Sequence, residues 1–112
     1  MHLINTTGAS VDLLTPHGVM TVPPDPRTFS VVSVTRREML PTGFPVAVRR
    51  IQAATVVDEA GQPLPPRRPD VMDLVSEAVR LMLPERRDLL SAGPLITDTH
   101  GQPRGYDGLI GN

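Results

Sequence analysis

The chain has 112 residues, a net charge of -1 and no cysteine, and its hydrophobic fraction of 39% is ordinary for a globular protein. This length predicts a single domain over residues 1–112, and the missing cysteines exclude disulfides, thiolate nucleophiles and zinc ribbons. The balanced charge argues against nucleic acid as a partner. No apolar run approaches the ~20 residues of a membrane span, and the N-terminus lacks the pattern of a secretory signal, so we expect a cytoplasmic protein.

The first half of the chain reads as short strands separated by turns, since 13 prolines and 9 glycines interrupt it throughout. The apolar and β-branched runs predict strands over residues 2–5, 11–14, 18–22, 29–36 and 45–57, with a stiff proline connector over 23–26. Neither face of the 29–36 strand is cleanly polar, so we expect this strand to be covered on both faces. The alternation in 45–57 slips near Ala53 and Ala54, which predicts a β-bulge. Pro41-Thr42-Gly43 is the predicted turn between these two strands.

One turn pattern occurs twice. Residues 58–63 and 98–103 both begin with aspartate and carry Gly-Gln-Pro from the fourth position. An aspartate at the first position of a turn accepts backbone hydrogen bonds, and glycine tolerates a positive φ. The echo therefore predicts the same local turn at two places rather than a duplicated unit.

A single main helix is predicted over residues 70–83, after an extended proline-rich linker. Asp70 is the expected N-cap and Pro84 the expected stop, with one further helical turn over 85–90. Six apolar residues recur at the spacing of one helix face and predict an amphipathic helix. They are Val71, Leu74, Val75, Ala78, Val79 and Met82.

The order of these elements, with two short strands in the tail over 95–97 and 104–109, predicts an α+β fold. We expect a small, mainly antiparallel sheet that curls toward a barrel, with the helix packed on it. We also expect a homo-oligomer, because a second copy can bury an exposed sheet edge or the helix edge at Leu81 and Leu83.

A series of short motifs follows one order along most of the chain. The motifs are Ile4-Asn5, Val22-Pro23-Pro24, Phe44-Pro45-Val46, Leu64-Pro65-Pro66, Leu74-Val75-Ser76, Arg87-Asp88-Leu89-Leu90, Gly93-Pro94, residues 98–101 and Gly108-Leu109. Their order resembles a family of small phage and prophage proteins. The chain departs from that family after Asn5, where it has Thr6-Thr7-Gly8-Ala9 in place of Leu-Thr-Pro-His. The resemblance implies a phage or prophage setting and supplies no catalytic residue.

Catalytic and metal-binding patterns are missing from the sequence. The chain has no dinucleotide-binding glycine motif, no P-loop and no Gly-x-Ser-x-Gly, and its acidic residues stand singly in predicted turns and helix ends. The three histidines, His2, His17 and His100, are far apart. We therefore expect no enzyme activity, no metal and no cofactor.

Arginines supply the candidate ligand-binding residues, since every basic residue apart from the histidines is arginine. Arg49 and Arg50 lie inside the longest predicted strand and must face opposite sides of it, so one of the two is expected to line an anion site. Arg104 lies between glycines that let a backbone approach a ligand, and Tyr106 offers a stacking surface. The alternative is that these are solvated surface side chains beside acidic neighbours.

Two classes of function follow. The first is a non-enzymatic phage accessory protein that counteracts host defence, either by sequestering a small anionic, nucleotide-type ligand or by blocking a host protein. The second is a structural part or an adaptor of the virion.

Overall fold

The computed structural model describes residues 1–41, 43 and 45–112, so Thr42 of the predicted turn and Phe44 lie outside the described residues. Within these residues, ten strands and one helix follow in order. They are β1 (His2–Asn5), β2 (Val11–Thr15), β3 (Gly18–Val22), β4 (Phe29–Met39), β5 (Ala47–Asp58), β6 (Val71–Leu74), α1 (Glu77–Met82), β7 (Leu89–Ala92), β8 (Leu95–Thr97), β9 (Pro103–Asp107) and β10 (Leu109–Gly111). The five strands predicted in the first half and the tail strand over 95–97 are confirmed, with small differences at their ends. The tail strand predicted over 104–109 is divided at Gly108 into β9 and β10.

The strands form three sheets. One has the order β1-β6-β7-β10, the second has the order β3-β2-β9-β8, and the third is the antiparallel β4–β5 hairpin. Parallel pairs join β1 to β6, β6 to β7 and β2 to β9, whereas the other pairs are antiparallel. Both four-stranded sheets are therefore mixed, and each brings together strands that are distant in the sequence.

The predicted α+β class is wrong. Strand residues make up 53% of the chain and helix only 5%, and the sheets do not close into a barrel within the described residues. The fold is a predominantly β structure with one short helix.

The helix prediction over 70–83 is wrong in its first half. Residues 71–74 form β6, which lies between β1 and β7 and pairs with both. Its last two residues, Asp73 and Leu74, point to opposite faces and are both buried, so the strand is covered on both faces there. Such a strand does not alternate between apolar and polar residues, and its apolar run resembles a buried helix. Asp70 is not the N-cap, because its φ is 61° and its carbonyl accepts a hydrogen bond from the backbone N–H of His2.

The helix begins after Ser76 and is six residues long. The Ser76 hydroxyl oxygen caps it by accepting from the backbone N–H of Val79 at 3.3 Å. The helix ends at Met82, before Pro84, as the proline predicted. The further helical turn expected over 85–90 is wrong, because Leu89 already begins β7, where it pairs with Asp73 of β6.

The hydrophobic core has two clusters. One joins the base of the hairpin to α1 and β7, and its buried members are Phe29, Val56, Val75, Val79 and Leu89. The other lies between the two four-stranded sheets, and its buried members are Val11, Leu13, Val22 and Leu74. Apolar burial is the main stabilising term of a fold this small, so these two clusters hold the three sheets together.

The repeated turn is confirmed at both places. In each turn the aspartate side chain accepts hydrogen bonds from the second and the fourth following backbone N–H groups, at 2.8–3.0 Å. Gly61 and Gly101 occupy the same position in the two turns, with φ of 78° and 77°. Only glycine takes such angles without strain, which explains the shared pattern.

No helix in the described part of the chain is long and apolar enough to span a membrane.

Candidate functional site

The outer half of the β4–β5 hairpin projects from the rest of the fold, and we call it the arm (residues 32–39 and 47–55). Every residue of 32–39 is exposed, as are residues 49–53. The prediction that the 29–36 strand is covered on both faces is therefore wrong beyond its first residues. The hairpin is a sheet of its own, with no layer packed over its outer half.

The base of the hairpin is anchored in the core. Phe29 and Val56 belong to the cluster beside α1. The Arg27 guanidinium donates to the Asp58 carboxylate, with Nε at 3.0 Å and Nη2 at 2.9 Å from Oδ2, and lies 4.9 Å over the Phe29 ring. Backbone N–H groups of the turn, chiefly that of Gln62, hold the pKa of Asp58 below its usual value, with the Arg27 side chain contributing. The arm thus extends from a firmly held base.

The predicted bulge is confirmed in this hairpin. Val34 pairs with Ala53 and the next residue, Thr35, pairs with Ile51, so Gln52 is the extra residue on β5. The bulge lies next to the predicted slip and marks where the outer half of the hairpin begins to carry charge.

Four arginines meet across the arm. Arg36 is the register partner of Arg50, and Arg37 is the register partner of Arg49. Directly opposed residues of an antiparallel pair share one face, so each face of the arm carries two arginines side by side. Like charges in that position are destabilising, and nothing in the packing requires them there.

One carboxylate offsets this charge. Glu38 Oε2 accepts from Arg50 Nε at 2.7 Å, and the two side chains are about half exposed or more. No ion pair to Arg36, Arg37 or Arg49 occurs within residues 1–41, 43 and 45–112. The face with Arg37 and Arg49 is therefore the more strongly basic of the two.

The charge of the chain is divided unequally between the arm and the rest. Four of the eleven basic residues but one of the twelve acidic residues lie in the arm, which gives the arm +3 and the remaining chain -4. Exposed aliphatic side chains lie between the arginines, with Val34 at 60% and Ile51 at 69% exposed. The arm is consequently a basic surface with apolar patches.

The structure divides the four residues chosen from the sequence. Arg49 and Arg50 lie on the arm, on opposite faces as predicted, whereas Arg104 and Tyr106 lie on β9 in a different sheet. Arg104 is exposed, and Tyr106 packs against the second core cluster. The sequence does not predict Arg36 and Arg37 as part of the candidate site. Extending the register outward from the predicted turn at residues 41–43 would set Arg36 against Val48, so the pairing with Arg50 and Arg49 came only from the structure.

Tyr106 borders a pocket of about 290 Å³, together with Ser10, Ser76, Glu77 and Ser91. Hydroxyl groups and one carboxylate line this pocket, and no cationic side chain of the described residues does. Such a lining does not suit an anionic ligand, so the pocket does not complete the predicted anion site.

No group of three or more His, Asp or Glu side chains that could hold a metal ion is found in the part of the chain that the structure describes. Comparisons with protein-family models, with curated proteins and with solved structures found no match.

Proposed function

We propose that this protein is a non-enzymatic binding protein whose arm holds an acidic surface of another protein. The single observation that carries the proposal is the strand register that sets Arg36 against Arg50 and Arg37 against Arg49 at an exposed position. This arrangement costs stability, and apart from the pair between Arg50 and Glu38 these arginines make no ion pair among the described residues, which is typical of residues kept for binding.

The shape of the arm favours a protein over a small anion. Sites for small molecules are concave and bury most of their ligand, whereas the arm is a two-sided ribbon with exposed faces. Arginine beside exposed aliphatic side chains is the composition of a protein interface. The hypothesis that the protein blocks another protein is therefore better supported than the hypothesis that it sequesters a nucleotide-type ligand.

The charge distribution favours a protein over nucleic acid. The arm carries +3, but the remainder of the chain carries -4 and would repel a long phosphate backbone. An acidic patch on a folded partner can contact the arm alone. In the phage setting that the motif order suggests, the proposed partner is a host protein of the cytoplasm, and binding would counteract a host defence.

A titration with an acidic probe tests the proposal. A labelled oligoglutamate peptide, duplex DNA and a panel of mono-, di- and cyclic nucleotides are titrated separately against the wild type at several salt concentrations. We expect the peptide to bind, more weakly as salt rises. The Arg37→Ala/Arg49→Ala and Arg36→Ala/Arg50→Ala variants should lose up to roughly thirtyfold in affinity, because each exposed ion pair contributes at most about 1 kcal/mol.

A charge-matched variant controls for net charge. Arg67 and Arg87 are exposed and lie outside the arm, so Arg67→Ala/Arg87→Ala should retain peptide binding. Equal losses in this control would overturn the proposal, as would tighter binding of duplex DNA. A nucleotide that binds in an Arg49- or Arg50-dependent and Arg104-dependent manner would favour the small-ligand branch instead.

A structural or adaptor role in a virion is the second candidate, and the open edges of the arm favour it. A two-stranded sheet leaves one edge of each strand unpaired, and such an edge can add a strand from another chain. If the added strand comes from a second copy, the protein is a homo-oligomer held by its arms. Sedimentation of the full chain and of a variant without the arm distinguishes this candidate from a partner of different sequence.

A further inference from the structure

One buried carboxylate lacks the partners that its neighbours have. Three aspartates are buried among the described residues. Asp58 accepts from two backbone N–H groups and from an arginine, and Asp88 accepts two hydrogen bonds from Arg86, at 2.8 and 2.7 Å. Asp73, with its side chain only 6% exposed, receives no hydrogen bond from the described residues. The nearest cation is Arg68, whose Nη2 lies 3.9 Å from Oδ1 of Asp73.

Asp73 faces a pocket of about 160 Å³ on the side of the fold next to the hairpin base. Asp25, Arg27, Arg68, Phe29 and Thr6 also line this pocket. No fully enclosed side-chain nitrogen or oxygen among the described residues lacks a hydrogen-bond partner. The Asp73 oxygens, which have no donor among the residues that the structure describes, must therefore open onto the pocket.

The charges that remain free in the pocket are mostly negative. The Arg27 guanidinium does not neutralise the pocket carboxylates, because its Nε and Nη2 both bind Asp58. Arg68 is about half exposed and lies too far from Asp73 for a hydrogen bond. Burial raises the pKa of Asp73, and the Arg68 charge lowers it only in part. Asp25 Oδ2 accepts one hydrogen bond, from the backbone N–H of Arg27 at 3.2 Å, whereas the Asp73 carboxylate accepts none from the described residues. The buried end of the pocket thus offers carboxylate oxygens that have no donor.

We propose that this pocket binds a guanidinium group, with Asp73 as its principal acceptor and Asp25 as a second one. A guanidinium presents two parallel N–H groups that match a carboxylate, and it is more weakly hydrated than an ammonium, so it loses less on entering a buried site. The pocket holds the volume of about five waters, which suits this head group and the first part of its chain. The guanidinium can belong to an arginine side chain of another protein or to a free guanidino compound.

The test uses methylguanidinium chloride as the probe and amide chemical shifts of the full chain as the readout. We expect saturable shifts confined to residues around the pocket, such as Thr6 and Arg27. Tetramethylammonium chloride at equal ionic strength carries no N–H and should give none. Asp73→Asn should weaken binding roughly ten- to hundredfold, because it removes a charge-assisted pair.

Asp107→Asn is the matched control, since Asp107 is an exposed carboxylate on β9 and its loss should leave the affinity unchanged. A thermal melt checks that Asp73→Asn folds. If this variant does not fold, the proposal is still tested by comparing the amide shifts that methylguanidinium and tetramethylammonium cause in the wild type. Shifts that do not saturate, that lie elsewhere or that tetramethylammonium reproduces would overturn the proposal. Tighter binding of a short arginine peptide than of methylguanidinium would identify a protein side chain as the source, and equal binding would identify a free compound.

Discussion

At the level of single residues, two buried aspartates, Asp88 and Asp73, have contrasting environments. Asp88 is buried and held by both donors of the Arg86 fork, a geometry that suits carboxylate and guanidinium. Those hydrogen bonds lower the pKa of Asp88 below the usual 3.8 and raise that of Arg86. Asp73, a close neighbour of Asp88, has its pKa raised by burial. Two similar side chains on adjacent segments therefore have opposite effects on stability at neutral pH.

We expect Asp88→Asn to lower the free energy of unfolding by about 2–4 kcal/mol at neutral pH, because it leaves the half-buried Arg86 without its carboxylate. A carboxyl with a lowered folded pKa contributes stability above its unfolded pKa and loses it as the pH falls through the folded pKa. The difference between wild type and variant should therefore shrink along an acid series below pH 3.8.

Urea denaturation at neutral and acid pH measures this difference. Asp107→Asn, at an exposed position, is the control and should change stability little. A difference between wild type and Asp88→Asn that stays constant with pH would show that the ion pair is not what the variant loses.

At the scale of elements, residues 70–83 show how one apolar run divides into a strand and a helix. Val71 to Leu74 lie between β1 and β7 and gain backbone hydrogen bonds on both sides. The next two residues leave the sheet, and Ser76 starts the helix with a side-chain hydrogen bond. Local spacing cannot separate these outcomes, because the partners of β6 lie about seventy residues before it and fifteen after it in the sequence.

The two alternative helix starts predict opposite results for two substitutions. Ser76→Ala should lower the free energy of unfolding by about 0.5–2 kcal/mol, the usual cost of losing an N-cap. Asp70→Gly should be neutral or stabilising, because Asp70 has a φ of 61° that glycine adopts without strain. Thermal and urea unfolding of both variants measure the effect. If Asp70→Gly greatly lowered the free energy of unfolding and Ser76→Ala did not, the result would favour the longer helix that starts at Asp70.

At the scale of the whole molecule, the protein is more extended than its length requires. Its radius of gyration is 17.6 Å and its extents are 58 × 41 × 23 Å, whereas a compact chain of this size has a radius near ~13 Å. The arm contributes to the elongated form and carries three of the six arginines that make no ion pair among the described residues. An exposed ribbon contributes little burial, so its presence points to contacts with another molecule.

We expect the rest of the fold to form without the arm. Val34 and Ala53 are register partners, so an Asn-Gly turn can join them directly in place of residues 35–52. The buried hairpin residues Phe29 and Val56 remain in this variant, and its melting temperature should stay close to that of the full chain. Circular dichroism melts and sedimentation of both proteins measure the result.

Sedimentation of the same pair separates the two functional candidates. A full chain that forms oligomers and an arm-less variant that is a monomer would support assembly through the arm. Two monomers, with peptide binding lost in the variant, would support an acidic partner of different sequence. An unfolded variant would contradict the view that the arm lies outside the core.

The sequence alone predicts the features that depend on neighbouring residues. Both aspartate turns, the bulge beside Ala53, the stop at Pro84 and the early strands follow from backbone preferences and short-range hydrogen bonds. It also placed Arg49 and Arg50 on opposite faces, because alternation along a strand is a local rule. Long-range contacts make residues 71–74 a strand, set Arg104 and Tyr106 on a different sheet from the arm, and bury Asp73 beside a pocket. These outcomes depend on which distant segments meet, and the free energy of such pairing comes from shared burial and hydrogen bonds that no single stretch of the chain contains.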